Sequence, residues 1–238
     1  MKVFVCGDTH GVQDSGKLAR IRKDDISEDD YIIICGDCGV LWHNELTDEH
    51  VEFFESLKAT VLFVDGNHEN YDMLNKMSIV EILGGKAHKI SDKIFHLLRG
   101  EIFTIGGRTF LAFGGADSHD KVFRIPHKTW WSDERITEQD TLNALDNLKK
   151  YGNKVDYVIS HSPSPKFKEK IIAELLQCGE EIPYYLRDKL LKNTPSEWKI
   201  DIIEKQIKFR AWFSGHLHAD INIGRNYSLY DDVLTIKY

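Results

Sequence analysis

Five short apolar runs in this chain end in the same way, each leading into side chains that can hold a metal ion. Val3–Cys6 leads to Gly7-Asp8-Thr9-His10, and Tyr31–Cys35 leads to Gly36-Asp37. Thr60–Val64 leads through Asp65 to Gly66-Asn67-His68-Glu69. Asp156–Ser160 leads to His161-Ser162-Pro163, and Ala211–Ser214 leads to Gly215-His216-Leu217-His218. Runs this short, rich in Val, Ile and Phe, read as strands, and those apolar throughout as strands covered on both faces. In four of the five, glycine directly precedes the first donor. It lets the backbone turn sharply, so that side chains from separate strands converge. Any one motif is short and matches by accident; Gly66-Asn67 alone is ordinary turn chemistry. In series, always past the same end of a strand, they describe one site.

The remaining strand signals are Glu101–Ile105, Thr109–Phe113, Asp220–Ile223 and Val233–Ile236. Gly106-Gly107-Arg108 reads as a hairpin turn between the first two. Ala211–Ser214, Asp220–Ile223 and Val233–Ile236 follow one another closely and are expected to form an antiparallel meander. Helical periodicity marks Glu49–Lys58, Glu138–Tyr151, Lys168–Cys178 and Ser196–Lys208. Thr137 with Asp140 approximates a capping box, and Ser196 is the expected N-cap of the last helix. Pro126, Pro163 and Pro165 are expected in loops. Strands alternating with helices, followed by a strand-rich end, imply layered α/β architecture with mixed sheets. With no repeat and no linker, residues 1–238 are expected to form one domain. Gly115–Glu134 is the longest stretch without periodicity, and loops of that length tend to be functional. Trp130 and Trp131 argue for order within it, as core packing before ring stacking on a ligand.

Composition narrows the partners. With 38 acidic and 31 basic residues and a net charge of −7, the chain offers no electrostatic footprint for a long nucleic acid. Four cysteines among 238 residues are too few for a disulfide scaffold. No basic leader precedes the first strand, and no apolar run approaches the roughly 20 residues of a membrane helix. The expectation is a cytoplasmic protein without a membrane partner. Oligomeric state is open.

Mixed imidazole and carboxylate donors suit Mn, Fe or Zn, where an all-oxygen set would suit Mg or Ca. A carboxylate can bridge two ions through its two oxygens, and an asparagine carbonyl adds a neutral ligand. Two ions roughly 3.5–4 Å apart activate a water and clamp an in-line displacement at phosphorus. Expelling an alkoxide also needs a proton, which histidine supplies best near neutral pH. His68 is the candidate.

Asp-x-His, Gly-Asp, Gly-Asn-His-Glu, His and Gly-His-x-His, running from Asp8 to His218, resemble the signature of calcineurin-like metallophosphoesterases. The resemblance implies a four-layer αββα sandwich of two mixed β-sheets, with a dinuclear site at the strand ends. It makes Asp8, His10 and His218 ligands of one ion, and Asn67, His161 and His216 ligands of the other. Asp37 would bridge them. It implies an enzyme that hydrolyses phosphomonoesters or phosphodiesters by in-line attack of a metal-bound hydroxide, with His68 as proton donor. Two divalent ions would be its cofactors, manganese first, with Fe, Zn, Co or Ni as alternatives. A non-catalytic scaffold and a nuclease on short oligonucleotides are the competing readings.

The chain departs from the serine/threonine phosphatase branch, whose second motif continues Gly-Asp-x-x-Asp-Arg-Gly. Here Val40 stands at the second aspartate and the arginine is missing. Asp65 and Asp72 are the sequence neighbours that could orient His68 instead. Arg124, in the aperiodic loop, is the candidate replacement for the phosphate contact, with Asn67 as a second substrate contact. A surface salt bridge is the competing use of Arg124. His43 and His119 are expected on the rim. Cys35-Gly-Asp-Cys38 has redox or zinc spacing but no second pair, so a role in the strand and its turn is the expectation.

Overall fold

The computed structural model describes residues 1–19, 21, 26–42 and 49–237. Its first half holds β1 (Lys2–Cys6), α1 (Gly16–Ala19), β2 (Tyr31–Cys35), α2 (Glu49–Ser56), β3 (Thr60–Val64) and α3 (Tyr71–Leu74). Five more strands follow: β4 (Ser78–Ile82), β5 (Gly85–Lys89), β6 (Ile94–Leu97), β7 (Ile102–Ile105) and β8 (Arg108–Phe113). The second half holds α4 (Glu138–Lys150), β9 (Tyr157–Ser160), α5 (Pro165–Gln177), α6 (Tyr184–Leu191) and α7 (Pro195–Gln206). It closes with β10 (Ala211–Ser214), β11 (Ile221–Ile223), β12 (Asn226–Ser228) and β13 (Leu234–Lys237).

The strands form two mixed sheets, ordered β13-β1-β2-β3-β6-β5-β4 and β11-β12-β10-β9-β8-β7. The central strands of each are parallel: β1, β2, β3 and β6 in one, β8, β9, β10 and β12 in the other. Successive residues of a strand face opposite ways, and the packing follows that rule. Val3 and Val5 join Phe103, Phe110 and Phe213 between the sheets, while Phe4 and Cys6 pack on the other face with Leu18, Val51 and Phe54. On the far side of the second sheet, Leu111, Phe113 and Val158 pack against Ala144, Leu148, Ile200 and Ile203 of α4 and α7. These are the four layers of an αββα sandwich. Strands β1, β2, β3, β8, β9 and β10 are thus covered on both faces, which is why they read as nearly continuous apolar runs, whereas β4 and β13 at the edges of the first sheet have no fully buried residue.

The hairpin at Gly106-Gly107 is present, both glycines having positive φ and Ile105 facing Arg108. The capping box at Thr137 and Asp140 is also present. Three expectations are corrected. There is no terminal meander: β10 pairs in parallel with β12, while β13 crosses to the other sheet, antiparallel to β1. Helix α7 is capped by Thr194 in a box with Glu197, and Ser196 lies buried inside it, its hydroxyl accepting from Ile136 N at 3.1 Å. Pro165 opens α5, where its missing N–H costs nothing.

Candidate metal centre

The ends of β1, β2, β3, β9 and β10 meet along one edge of the sandwich, and the turns beyond them carry the donors. Asp8 (φ 52°), His10 (φ 44°), Asp37 (φ 50°), His216 (φ 68°) and His218 (φ 52°) all lie in the left-handed region. For a residue with a Cβ that conformation costs about 1–2 kcal/mol. Of the glycines preceding donors, only Gly36 has positive φ; the others are needed for space. A Cβ on Gly66 would sit 2.1 Å from Asp37 Oδ1, and one on Gly215 would sit 2.4 Å from Asp8 Oδ2. At Gly36 it would meet His161 Nδ1 at 2.4 Å. Gly36→Ala is therefore expected to destabilise the protein by about 1–3 kcal/mol and to push His161 away from Asp37. Thermal unfolding and metal-binding isotherms check the two effects separately.

The donors fall into two groups that meet at Asp37. Ligand atoms of Asp8, His10, Asp37 and His218 all lie within 4.8 Å of one another. His10 Nε2 is 3.4 Å from Asp37 Oδ2, and His218 Nε2 is 3.3 Å from Asp8 Oδ1. On the other side, His161 Nε2 is 3.4 Å from Asp37 Oδ1, 3.2 Å from Asn67 Oδ1 and 3.3 Å from His216 Nδ1. The two oxygens of Asp37 thus face different groups.

Hydrogen bonds fix which ring nitrogens are offered. His161 Nδ1 donates to Cys35 O at 2.8 Å, leaving the lone pair of Nε2 aimed at three acceptors. A proton there could satisfy one of them, whereas a divalent ion satisfies all. His10 Nδ1 donates to Asp14 Oδ2 at 2.7 Å, which presents Nε2 to Asp37. Such outer partners orient metal-binding imidazoles. The field agrees. Burial alone would lower the pKa of His10 and His161, but Asp37 and Asp8 raise both to about 9, so the pocket draws positive charge. Burial pushes the Asp37 carboxyl up, and His161, His68 and His10 outweigh it and hold it well below the usual range. His216 is kept neutral by burial and by nearby Lys189. The residues fit two divalent cations.

His68 stands beside this cluster. Its backbone N–H donates to Asp37 Oδ1 at 2.7 Å, and its ring lies edge-on to His10. Neither suggested aspartate orients it. Asp72 pairs with His127, and Asp65 is held by Arg99, by His96 Nε2 at 3.1 Å and by Tyr71 Oη at 2.8 Å. Arg124 does the orienting: its two terminal nitrogens lie 3.3 Å from the two ring nitrogens of His68. The same guanidinium pairs with Asp120 at 2.8 Å, so salt bridge and site contact coexist. The loop carrying it is closed at its base by Glu134, which accepts from Ser118 N at 2.8 Å and Ser118 Oγ at 2.6 Å. Trp131 packs into the core beneath. His119 is exposed, its ring stacked 5.7 Å from that of His216, as a rim residue. His43 lies outside the described residues.

Three supporting residues escaped the sequence reading. Asp14 is four residues past His10, a spacing that could have revealed it. Lys17 is buried and donates to Gly7 O at 2.6 Å, Asp8 O at 3.0 Å and Tyr230 O, bracing the first turn. Arg99 lies far from the motifs in sequence and braces Asp65, directly before Gly66. Burial raises the Asp65 carboxyl, and Arg99 and His96 reverse this, holding it well below the usual range. A carboxyl so depressed adds stability above its unfolded pKa of roughly 3.9 and loses it as pH falls. Arg99→Leu would leave that buried charge with only His96 and Tyr71 against it, costing about 3 kcal/mol at neutral pH. Urea titrations should show the deficit shrinking in acid, where Asp65 is protonated. Cys6, Cys35 and Cys38 are buried free thiols, all pushed up by burial, which suits packing rather than redox work.

A family model described as calcineurin-like phosphoesterase matches residues 1–220. Among solved structures, the chain is similar to the sulfate thiohydrolase SoxB of Thermus thermophilus in complex with glycerol, at 13% identity and a TM-score of 0.40. That match covers 96% of this chain and 51% of the other, so the chain spans about half of that protein's length. No curated protein matches.

Proposed function

Because the chain belongs to the calcineurin-like phosphoesterase family, we propose that it is a metal-dependent hydrolase of small phosphoesters. The observation that carries this reading is Asp37, whose Oδ1 and Oδ2 each lie 3.4 Å from an imidazole nitrogen of a different donor group. Asp8, His10 and His218 would hold one ion, Asn67, His161 and His216 the other, and Asp37 both. We take manganese as the first candidate, with Fe, Zn, Co and Ni as alternatives that the mixed imidazole and carboxylate set also accepts. When bound, the two ions would supply a nucleophilic water at neutral pH and neutralise phosphate charge.

The side chains do the rest. Arg124 offers a cationic fork to the phosphate oxygens. Burial holds the His68 imidazole below its ordinary pKa, with Arg124 and His10 adding to the effect against the pull of Asp37. A phosphate beside it offsets Arg124, brings a proton to the ring and sets it to protonate the leaving oxygen. Asn67 binds substrate alongside. We take residues 1–238 as a single domain around this site. Among the described residues no helix is long and apolar enough to cross a membrane. We place the protein in the cytoplasm, where buried free thiols such as these persist.

The test strips the protein with chelator, restores manganese, and follows hydrolysis of p-nitrophenyl phosphate and bis-p-nitrophenyl phosphate. Turnover of either supports the proposal, and their ratio separates monoesterase from diesterase. Stoichiometric binding of two ions without turnover of any ester would sink it and favour a scaffold.

A further inference from the structure

The substrate's leaving group has its own room. A cavity of about 680 Å³ opens beside the metal centre, lined by His10, His218 and His68 on its inner side and by Gln13, Asp14, Trp42 and Tyr230 beyond. That volume is within the roughly 300–1,000 Å³ that encloses a drug-sized molecule. Its inner wall is an arc of rings. Trp42 lies 6.0 Å from His68, His68 5.4 Å from His10, His10 5.3 Å from His218, and His218 4.9 Å from Tyr230.

Three features indicate what enters. First, a proton donor must face the oxygen it protonates. Both ring nitrogens of His68 lie 3.3 Å from Arg124, so the ring gives up a proton only once phosphate has drawn the guanidinium off. The open space it then borders is the cavity, which His68 lines and Arg124 does not. Second, among the described residues no ring is stacked on half-buried Trp42. Its neighbours His68 and Trp131 meet it at 46° and 74° rather than stacked, whereas Tyr230 is stacked on His218 and has the Lys17 ammonium 4.6 Å from its centroid. Third, no lysine or arginine lines the cavity among the described residues, and Asp14 adds a negative charge.

Building on the phosphoester reading, we infer that the cavity binds the leaving alcohol of the substrate, a neutral alcohol bearing a flat ring, of nucleoside size, stacked on Trp42. In the reaction the phosphorus–oxygen bond to that alcohol breaks with its electron pair on oxygen, which takes a proton from His68. The oxygen of water bonds to phosphorus, and the proton it sheds restores His68. Among the described residues, a second phosphate on the outer part of the alcohol would meet Asp14 and no lysine or arginine.

The experiment compares three substrates sharing the same primary alcohol carbon: adenosine monophosphate, ribose phosphate lacking the base, and adenosine bisphosphate. Each is tried as its monoester and as its methyl diester. Stacking worth about 1–1.5 kcal/mol corresponds to roughly tenfold in kcat/KM. The adenosine ester should exceed ribose phosphate by about that factor, through KM, and the bisphosphate should fall back by a similar one. Trp42→Ala should remove the advantage and Trp42→Phe, which keeps a stacking ring, should restore most of it. Calorimetry with adenosine alone reads the cavity without turnover, and Trp42→Ala should abolish the heat. Equal kcat/KM for adenosine and ribose esters overturns the leaving-group assignment while leaving the hydrolase reading intact. Adenosine binding without hydrolysis of any ester removes the hydrolase reading, and with it this one. No adenosine binding and no preference overturns the cavity assignment outright.

Discussion

Asp37→Asn is expected to lower turnover by at least about a thousandfold, equivalent to roughly 4 kcal/mol of transition-state stabilisation, and to reduce bound metal from two ions to one or none. The substitution keeps shape and burial but removes the charge and one of the two oxygens. The new amide nitrogen would have to face either His10 Nε2 or His161 Nε2, both 3.4 Å from the present carboxylate oxygens. An amide N–H can donate to that lone pair, so the imidazole is lost to a hydrogen bond instead of a metal. Metal analysis of the purified variant, beside its rate on the preferred p-nitrophenyl ester, reads both effects. Two ions at full activity would show that Asp37 bridges nothing.

His68→Ala should be nearly as damaging, but selectively. General acid catalysis contributes typically 10²–10⁴-fold, and that benefit depends on how badly the departing oxygen needs a proton. For an alkyl ester, whose alkoxide is a strong base, the full loss is expected. For a p-nitrophenyl ester, whose phenolate leaves readily unprotonated, the loss should be far smaller. Rates plotted against leaving-group pKa should therefore steepen in the variant. A uniform loss across the series would assign His68 to phosphate binding alone. Metal content should stay at the wild-type level, since the ring nitrogens of His68 lie against Arg124.

The residues of the candidate metal centre were legible as a group because each stands within a few positions of its own strand, and the structure brings them together. The strand announces itself by a continuous apolar run, so order along the chain nearly gives the geometry. What surrounds the centre was not legible in that way. Asp65 adjoins the Gly66 turn in sequence, yet its carboxylate goes to Arg99 and His96, partners that no local pattern connects to it. Arg124 could be placed only once the Ser118–Glu134 closure was known. Strands β4 to β6 were missed for a different reason. Ser78–Ile82 has no fully buried residue, and β5 and β6 carry Lys86, Lys89, His88 and His96, so their pairing shows little apolar signal. The supposed meander failed because β12, Asn226-Tyr227-Ser228, is polar enough to read as a turn, and without it β10 and β11 look adjacent.

The left-handed backbone of Asp8, His10, Asp37, His216 and His218 has a consequence for how the turns hold together. Glycine adopts that conformation freely, so a substitution to glycine would relieve local strain of about 1–2 kcal/mol at each position. At two of the five it would also remove a tie. Asp8 accepts from His216 N at 3.0 Å, and Asp37 Oδ1 accepts from His68 N at 2.7 Å. The carboxylates that strain their own turns are the ones that lash the neighbouring turns to them.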